Sequence, residues 1–276
     1  NLECPIPEGV SIKPGHLFCG DIGLPSENTL LNANSFLQVY YSSFNSLKNV
    51  NGDGGAAFIS MPNQPTIDTT HSIKFYHSTF TRCQAQNGCA IYLESSDSDR
   101  LFDFNYCTFS DNYFKNPMTK AGGAIYIKSS VSRFKFSNCM FYYNMANDGG
   151  AIYYLSEETS SSNNDKNAIS LQVTDCCFYY NKYSCSGSSL ALIMKSDESP
   201  RPIEINKCQF LNGNIEDNPY EVDYEYGGAI YYSLDCKSSN APSDSSPQVD
   251  YSLRVYECTF INNAVSNFGG AICIII

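Results

Sequence analysis

The sequence predicts an all-β protein, a right-handed parallel β-helix (solenoid) of about seven coils with three short strands in each coil. Two motifs, Cys-x-Phe-x-x-Asn and Gly-Gly-Ala-Ile-Tyr, recur along the chain at a period of roughly 35 residues, which is typical of stacked repeats. Apolar residues alternate with other residues around both motifs. No segment shows the i, i+3, i+4, i+7 apolar spacing of a helix.

The first motif defines two of the three strands. Residues seven and five positions before its Phe are apolar in every copy, and the residue two positions before it is Ser or Cys. Each pair keeps the two-residue spacing of a strand with one buried face. The odd step between the pairs predicts a corner. The Phe itself recurs at Phe44, Phe80, Phe109, Phe141, Phe178, Phe210 and Phe260.

The second motif defines the third strand, as at Gly122 to Tyr126, Gly149 to Tyr153 and Gly227 to Tyr231. Its Ile and the residue two positions later, such as Ile125 and Ile127, are predicted to point inward. The Gly pair predicts another corner, because Gly tolerates a positive φ and a close approach of the backbone.

The residue between the two inward positions of the third strand is predicted to point outward. Four tyrosines in this row form a candidate binding face, since aromatic rings suit glycan stacking or a protein partner. In the alternative interpretation the stacked rings only shield the sheet. A reversed phase would instead turn Tyr inward and Ile outward. The row contains Phe58, Tyr92, Tyr126, Tyr153, Ala191, Tyr231 and Cys273.

Equivalent residues of successive coils are expected to stack about 4.8 Å apart, which predicts continuous side-chain ladders. The aromatic ladder contains Phe80, Phe109, Phe141, Phe178, Phe210 and Phe260. The thiol ladder contains Cys107, Cys139, Cys176, Cys208 and Cys258. The amide ladder, at a corner, contains Asn112, Asn144, Asn181 and Asn263.

The alternation of Gly-Gly-Ala-Ile with Phe-x-x-Asn resembles the repeat of the polymorphic outer membrane proteins of chlamydiae. These are β-helical surface proteins, and similar repeats occur in large surface proteins of some protists. The resemblance covers about residues 36–276. It departs from the pattern where Leu47, Cys83 and Gly213 replace Asn, and where Gly187-Ser188-Ser189-Leu190 replaces Gly-Gly-Ala-Ile. The resemblance implies surface display and adhesion.

Thirteen cysteines require two interpretations. Those of the thiol ladder are predicted to be small buried residues. A disulfide along the ladder would be strained, because the Cβ spacing of about 4.8 Å exceeds the usual range. A metal site is less favoured, since no Cys-x-x-Cys pair or His partner accompanies the ladder.

Cysteines outside the thiol ladder are candidates for local disulfides. The predicted pairs are Cys4 with Cys19, Cys83 with Cys89, and Cys177 with Cys185. The odd total leaves at least one thiol unpaired or intermolecular, for which Cys236 and Cys273 are the candidates.

The chain is predicted to hold one solenoid, residues 36–276, preceded by a cap segment, residues 1–35, that hides the edges of the first coil. Loops rich in Ser, Asn and Asp interrupt the coils at two fixed places. Residues Gly269 to Ile276 form a regular strand with no polar cap after it. We therefore expect self-association, or continuation of the solenoid, at the C-terminal coil.

Charge and composition exclude several classes of function. A net charge of -11 with 17 scattered basic residues argues against nucleic acid. No apolar run is long enough for membrane insertion. No cofactor is implied, and catalysis is disfavoured because only His16, His71 and His77 are present. The acidic stretch at residues 216–225 is interpreted as a solvated loop, with a Ca²⁺ site as the alternative.

These features predict a non-catalytic β-helical structural protein that is extracellular or on the cell surface. It would act as a rod or filament subunit that stacks through its coil ends. The alternative is an adhesin, or a module that binds a glycan or a host or cell-surface protein through the Tyr face and loops. A polysaccharide-degrading enzyme is the third hypothesis, since β-helices also carry such enzymes.

Overall fold

The computed structural model describes residues 37–49, 51–61, 72–95, 100–113, 119–129, 132–158, 168–196, 201–215, 226–236, 253–265 and 267–276. The predicted cap segment, the bridge between Cys4 and Cys19, and the acidic stretch at residues 216–225 lie outside the described residues. In the described part of the chain every regular element is a β-strand.

Three seven-stranded parallel sheets build the fold, and each strand pairs with its equivalent in the next copy of the repeat. Sheet 1 contains Leu37–Tyr40, Ser72–Tyr76, Leu101–Asn105, Arg133–Ser137, Leu171–Thr174, Ile203–Asn206 and Leu253–Tyr256. Sheet 2 contains Ser43–Asn45, Thr79–Thr81, Thr108–Ser110, Met140–Tyr142, Cys177–Tyr179, Gln209–Leu211 and Thr259–Ile261. Sheet 3 contains Ala57–Met61, Ile91–Ser95, Ile125–Ser129, Ile152–Glu158, Leu190–Ser196, Ile230–Cys236 and Ile272–Ile275.

Two short pairs complete the strand set. Lys48–Asn49 pairs with Gln84–Ala85, and Lys182–Tyr183 pairs with Asn214–Ile215, both in parallel. The predicted all-β, parallel, stacked architecture is thereby confirmed. The right-handed sense and the number of coils stay predictions.

The register places like residues above like, because apolar side chains on one face of each strand must be buried together. Phe109 pairs with Phe141, and Phe104 with Phe136. The motif Phe rings form one stack, from Phe44 to Phe260, with centroids 4.6 to 4.9 Å apart. A single elongated core therefore fills the space between the three sheets.

Two turns in each copy, one between sheets 1 and 2 and one after sheet 2, contain a non-glycine residue with positive φ. The residue three positions before the motif Phe has this conformation, as in Tyr106 (φ 53°), and so does the residue two positions after it, as in Asp111 (φ 53°). A single left-handed residue turns the chain sharply between two extended segments. The first of these residues is the corner that the odd step predicts.

The third corner is turned by the first Gly of the pair, as in Gly122 (φ 64°). The second Gly is required for a different reason. A Cβ on Gly123 would lie 2.6 Å from the amide nitrogen of Met145, in the next coil, and would overlap the carbonyl oxygen of Gly150. The pair thus combines a left-handed turn with a close approach between coils.

The Asn residues form a buried ladder at the corner after sheet 2. The Asn112 amide donates to Asn144 Oδ1 at 2.9 Å, and the Asn144 amide donates to Asn181 Oδ1 at 3.0 Å. Each amide also donates to a backbone carbonyl, as from Asn144 to Phe109 at 3.0 Å. Gly213 breaks the ladder, although Asn263 Oδ1 still accepts from the Gly213 amide at 3.1 Å.

Candidate functional site

The predicted Tyr face lies on the outer side of sheet 3. Ile125 and Ile127 are fully buried and Tyr126 is half-buried, so the phase is that of Ile pointing inward and Tyr outward. The Tyr126 ring stacks on Tyr92 at 4.9 Å and on Tyr153 at 5.1 Å. Phe58 extends the same stack, 4.9 Å from Tyr92.

The row of rings is interrupted at Ala191, which is fully buried despite its outward position. Tyr231 therefore lies two strands away from Tyr153. It packs instead against Tyr226, with ring centroids 5.6 Å apart. The structure brings Tyr92, Tyr126 and Tyr153 together and leaves Tyr231 outside their stack.

The stacking of the rings limits which surfaces of the Tyr face a ligand can contact. The planes of Tyr92, Tyr126 and Tyr153 differ by 3° and 12°, so each ring covers the face of its neighbour. Both faces of the Tyr126 ring are therefore covered, which leaves its edge and hydroxyl group for a ligand. Burial raises the pKa of Tyr92, Tyr126 and Tyr153, and nearby carboxylates such as Glu157 add to the effect. The hydroxyls thus stay protonated at neutral pH.

A three-residue ion-pair chain lies beside these rings on the same sheet. Lys128 Nζ is 3.3 Å from Glu94 and 3.4 Å from Glu157. Burial lowers the pKa of Lys128, but the two carboxylates outweigh burial and raise it overall. The charge of Lys128 is paired with two carboxylates. These residues therefore do not supply a general acid and a general base that converge on a substrate.

The Cys residues of the thiol ladder are free and lie on the inner face of the corner between sheets 1 and 2. Their thiols contact backbone carbonyls of the preceding coil, as Cys107 Sγ with Phe75 at 3.3 Å and Cys139 Sγ with Phe104 at 3.5 Å. Burial raises the pKa of Cys139. A buried neutral thiol such as that of Cys139 is a poor nucleophile, and the ladder's contacts with backbone carbonyls are those of packing.

The predicted bridge between Cys83 and Cys89 is wrong, because both thiols are free. Cys83 occupies the slot of the ladder Asn, and its thiol lies 3.7 Å from the carbonyl of Thr81. Cys89 occupies the slot of the second Gly, and its thiol contacts the Thr119 hydroxyl at 3.0 Å. Burial raises the pKa of Cys83 to about 11 and that of Cys89 to about 12.

The predicted bridge between Cys177 and Cys185 is also wrong, since Cys177 is a free thiol. Cys177 points outward from sheet 2, between Met140 and Gln209. Cys185 lies at the Gly corner, where its amide donates to the carbonyl of Asn147 at 2.9 Å. Cys177 thus lies on a strand of sheet 2, whereas Cys185 lies at the Gly corner of the same coil. Cys273, on the terminal strand of sheet 3, is free as well.

The two ends of the described stack differ in burial. In the first copy Val39 is 2% exposed and Phe44 is 9% exposed. In the last copy the equivalent Val255 and Phe260 are only half-buried, and Ile274 is 53% exposed. The last strands of all three sheets also lie at sheet edges. The C-terminal coil therefore presents apolar side chains together with unpaired backbone groups.

Sequence reasoning missed a second set of exposed aromatic residues, on sheet 2 and the corner after it. Tyr143 and Tyr180 stack there with centroids 5.2 Å apart. They follow the outward residues Tyr142 and Tyr179. The signal was present in the triplets Met-Phe-Tyr and Cys-Phe-Tyr around the motif Phe, where other copies carry smaller residues such as Thr.

Two classes of site find no support within the described part of the chain. No group of three or more His, Cys, Asp or Glu side chains could hold a metal ion. No helix that could cross a membrane is found among the same residues.

Comparison with known proteins gives one match. Residues 257–275 match the family model for the Chlamydia polymorphic membrane protein repeat. The segment contains the last Cys-x-Phe-x-x-Asn motif and the last Gly-Gly-Ala-Ile, so the resemblance carried by these motifs is confirmed there. No curated protein and no solved structure shows a significant match to the chain.

Proposed function

We propose, from repeats similar to those of the Chlamydia polymorphic membrane protein family, that this chain is a non-catalytic structural module of a cell-surface or extracellular protein. Its role is to form a rigid β-helical rod. The rod is lengthened end to end, by a second copy that packs on the C-terminal coil. Cell-surface location follows from the kind of protein in which this repeat occurs.

The exposed C-terminal coil carries this proposal. Half-buried Val255 and Phe260 occupy positions that are fully buried in the preceding coil, at Ile205 and Phe210. Another β-coil placed on this end would bury these side chains and pair the edge strands. Ile272 and Ile274 would become buried in the same way.

Burial of the first coil favours contact between two C-terminal ends. Val39 and Phe44 are already covered, so a copy that approached that end would meet no open core. Two C-terminal coils related by a two-fold axis would form a closed dimer, a rod of twice the length. This arrangement favours a dimeric rod over a filament.

A non-catalytic role fits the use of polar groups in the stack. The Asn ladder and the thiol ladder form hydrogen bonds with neighbouring coils, and Lys128 forms ion pairs with them. Polar side chains in an active site converge instead on a space for substrate. The ladders are therefore structural groups.

Adhesion through the Tyr face is the weaker candidate. Sugar binding by aromatic residues uses open ring faces, whereas Tyr126 is covered on both sides by Tyr92 and Tyr153. Ring edges and hydroxyls remain for a partner, which is a smaller contribution than ring stacking.

Sedimentation velocity over a range of protein concentrations tests the end-to-end proposal. We expect the elongated dimer to form at high concentration and Ile274→Lys to weaken it, since the substitution puts a charge on the open coil. Gln172→Lys adds the same charge to the side of the rod and serves as control. A chain that stays monomeric at all concentrations, or a dimer indifferent to Ile274→Lys, would contradict the proposal.

A further inference from the structure

The outer face of sheet 2 is unusual because it carries no charged residue. An ordinary protein surface of fourteen positions would hold about four charges. In a chain with a net charge of -11, such a face is a local exception. Its residues, two from each strand, are Ser43, Asn45, Thr79, Thr81, Thr108, Ser110, Met140, Tyr142, Cys177, Tyr179, Gln209, Leu211, Thr259 and Ile261.

Charges lie instead on the neighbouring surfaces. The outward positions of sheet 1 include Lys74, Asp103 and Lys135. At the corner between sheets 1 and 2, Lys207 Nζ lies 3.9 Å from Glu257. The sheet 2 outer face is thus an uncharged strip with a charged rim, which is the usual layout of a protein–protein interface.

The centre of the strip holds its largest side chains. Met140, which is 42% exposed, and Tyr142 lie on the fourth strand of sheet 2. Tyr179, on the fifth strand, donates its hydroxyl to Gln209 Oε1 at 3.3 Å. At the adjoining corner Tyr143 and Tyr180 are 50% and 46% exposed. Tyr and Met are enriched in the centres of interfaces, where they supply most of the binding energy.

No loop leaves the chain on this side of the rod. The eleven residues that run from sheet 1 through the corner to the residue after sheet 2 are contiguous in every copy, as in 102–112, 134–144 and 171–181. Extra residues enter between the ladder position and the Gly pair, and between sheet 3 and sheet 1. The strip is thus built from contiguous chain in every copy, and all of its residues except Ser110 are at least partly exposed.

We infer that the sheet 2 outer face is a lateral docking surface for a second copy of this chain. Two molecules that each carry a net charge of -11 repel one another over most approaches. Contact through the uncharged strips keeps their charged surfaces apart and buries the Tyr and Met side chains. A partner of opposite charge would instead prefer the acidic surfaces.

The size of the strip sets the strength of this contact. Seven strands spaced about 4.8 Å apart, each about five residues wide with its corners, give a strip of about 34 Å by about 16 Å. Each copy would bury roughly 500 Å², below the 800 Å² or so of a standard interface. We expect a weak dimer with a micromolar Kd. A two-fold axis between the fourth and fifth strands would bring the central residues of both copies together.

The native thiol of Cys177 makes this geometry measurable. It is accessible on the strip, while Cys273 lies on the terminal coil. Treating the dimer with a short bismaleimide and mapping cross-linked peptides by mass spectrometry should yield Cys177 joined to Cys177. Cys177→Ser should remove this product and leave dimerisation unchanged in sedimentation equilibrium.

Charge substitutions test the interface itself. In the Ile274→Lys background, which removes end-to-end packing, Tyr142→Lys combined with Tyr179→Lys should weaken the remaining dimerisation at least tenfold, because two cations would enter the strip centre. Thr174→Lys, outward on sheet 1, should leave the Kd unchanged, and circular dichroism should show that both variants are folded. Ile274→Lys separates this contact from end-to-end packing, since it should not alter the Cys177 product.

Three outcomes would overturn the inference. They are a chain that remains monomeric well above micromolar concentration, cross-links confined to Cys273, and a Kd unaffected by the double Tyr substitution. The first would also count against the end-to-end rod. The other two leave the rod intact.

Discussion

At the scale of single residues, two departures from the repeat compensate each other. Gly213 stands where four of the other copies have the ladder Asn, and Ser188 stands where five of the other copies have the second Gly. A Cβ on Gly213 would overlap the Ser188 hydroxyl oxygen. With Gly at 213, that hydroxyl has room and donates to the carbonyl of Gly228. The Ser188 side chain thus occupies the space that an Asn side chain at position 213 would need.

This pairing predicts a coupling between the two positions. Gly213→Asn alone should destabilise the protein by about 1 to 3 kcal/mol through overpacking. Ser188→Gly alone should cost about 1 kcal/mol by removing a buried hydrogen bond. The double variant restores the usual Asn and Gly, so its cost should be smaller than the sum. Urea unfolding of the four proteins measures the coupling, and additive costs would rule it out.

His77 offers a pH-dependent contribution at the same scale. Its ring lies between Tyr41 and Tyr106, at 4.9 and 4.7 Å. Burial lowers the pKa of His77 below its ordinary value of 6.5. The unfolded chain therefore takes up the proton more readily, so the contribution of His77 is present above pH 6.5 and is lost as the pH falls below it.

The variant His77→Phe keeps a ring in the stack without a titrating group. Between about pH 7.5 and about pH 5, the natural chain should lose more stability than this variant. Thermal unfolding at both pH values provides the comparison. Equal losses, or a His77 pKa above 6.5 by NMR, would refute the expectation.

Residues that belong to a ladder could be placed from the sequence, whereas residues that replace a ladder residue could not. Phe109 and Asn144 lie in ladders because every coil offers them the same neighbours. Cys83 and Cys89 looked like a loop pair in sequence, yet they occupy the Asn and Gly slots of the coil. Sequence spacing alone cannot separate a short loop from two slots at adjacent corners.

At the scale of elements, the corners determine how strands become a coil. Among the described residues, fourteen non-glycine residues have positive φ, and they fall at two fixed positions of the repeat. Side chains as different as Tyr106, Asp175 and Lys207 occupy the first position. The left-handed conformation costs free energy at each of these residues, and the pairing of the flanking strands offsets that cost. The corners are therefore imposed by the stack and not by local preference.

Asp175 provides a test, since it is exposed and has a φ of 52°. Asp175→Gly should raise the free energy of unfolding by up to about 1 kcal/mol, because Gly adopts this conformation without strain. Asp175→Val should lower it by about 1 to 2 kcal/mol. Thr174→Val, at the neighbouring extended position, should be nearly neutral. Chemical denaturation would show a wrong assignment if both substitutions at Asp175 had the same sign.

The elements themselves were largely predictable. The two-residue spacing of apolar positions located all three strands of each copy, and the odd step located one corner. The Asn ladder indicated the corner after sheet 2. The left-handed residue that turns it gave no signal, because a positive φ is unusual for residue types such as Tyr143 and Arg82. Tertiary stacking, which no local pattern records, decides that conformation.

At the scale of the whole molecule, strand pairing joins neighbouring coils only. Each strand pairs with the equivalent strands of adjacent copies, and the order of every sheet follows the chain. Stability is then approximately a sum over coils and their shared interfaces. A complete coil should accordingly be removable.

Deletion of residues 107–138 tests this property. It joins Tyr106 to Cys139, which normally follows an equivalent corner residue, so the register of all later strands is preserved. We expect a folded all-β protein with a lower Tm. Deletion of residues 107–139 shifts the register by one residue and should prevent folding. Circular dichroism and thermal melts compare the two, and collapse of the first would contradict a modular stack.

Interactions beyond the chain were the least predictable feature. An open C-terminal coil was foreseen from the strand at residues 269–276. The uncharged strip on sheet 2 was not, because its residues lie roughly 35 positions apart and meet only once the register is known. The Tyr row, in contrast, could be predicted, because the same residue type recurs at one position of the repeat and is visible in the sequence.

Parallel pairing in all three sheets also fixes how the molecule would respond to mechanical tension. Backbone hydrogen bonds such as that from Thr108 to Ser78, at 2.9 Å, run from coil to coil along the rod. A pull between the two ends loads these bonds one coil after another, so the rod would yield by peeling at modest force. A pull across the rod loads covalent backbone instead. Attachment through its flank would therefore make the same molecule far harder to tear than attachment through its tips.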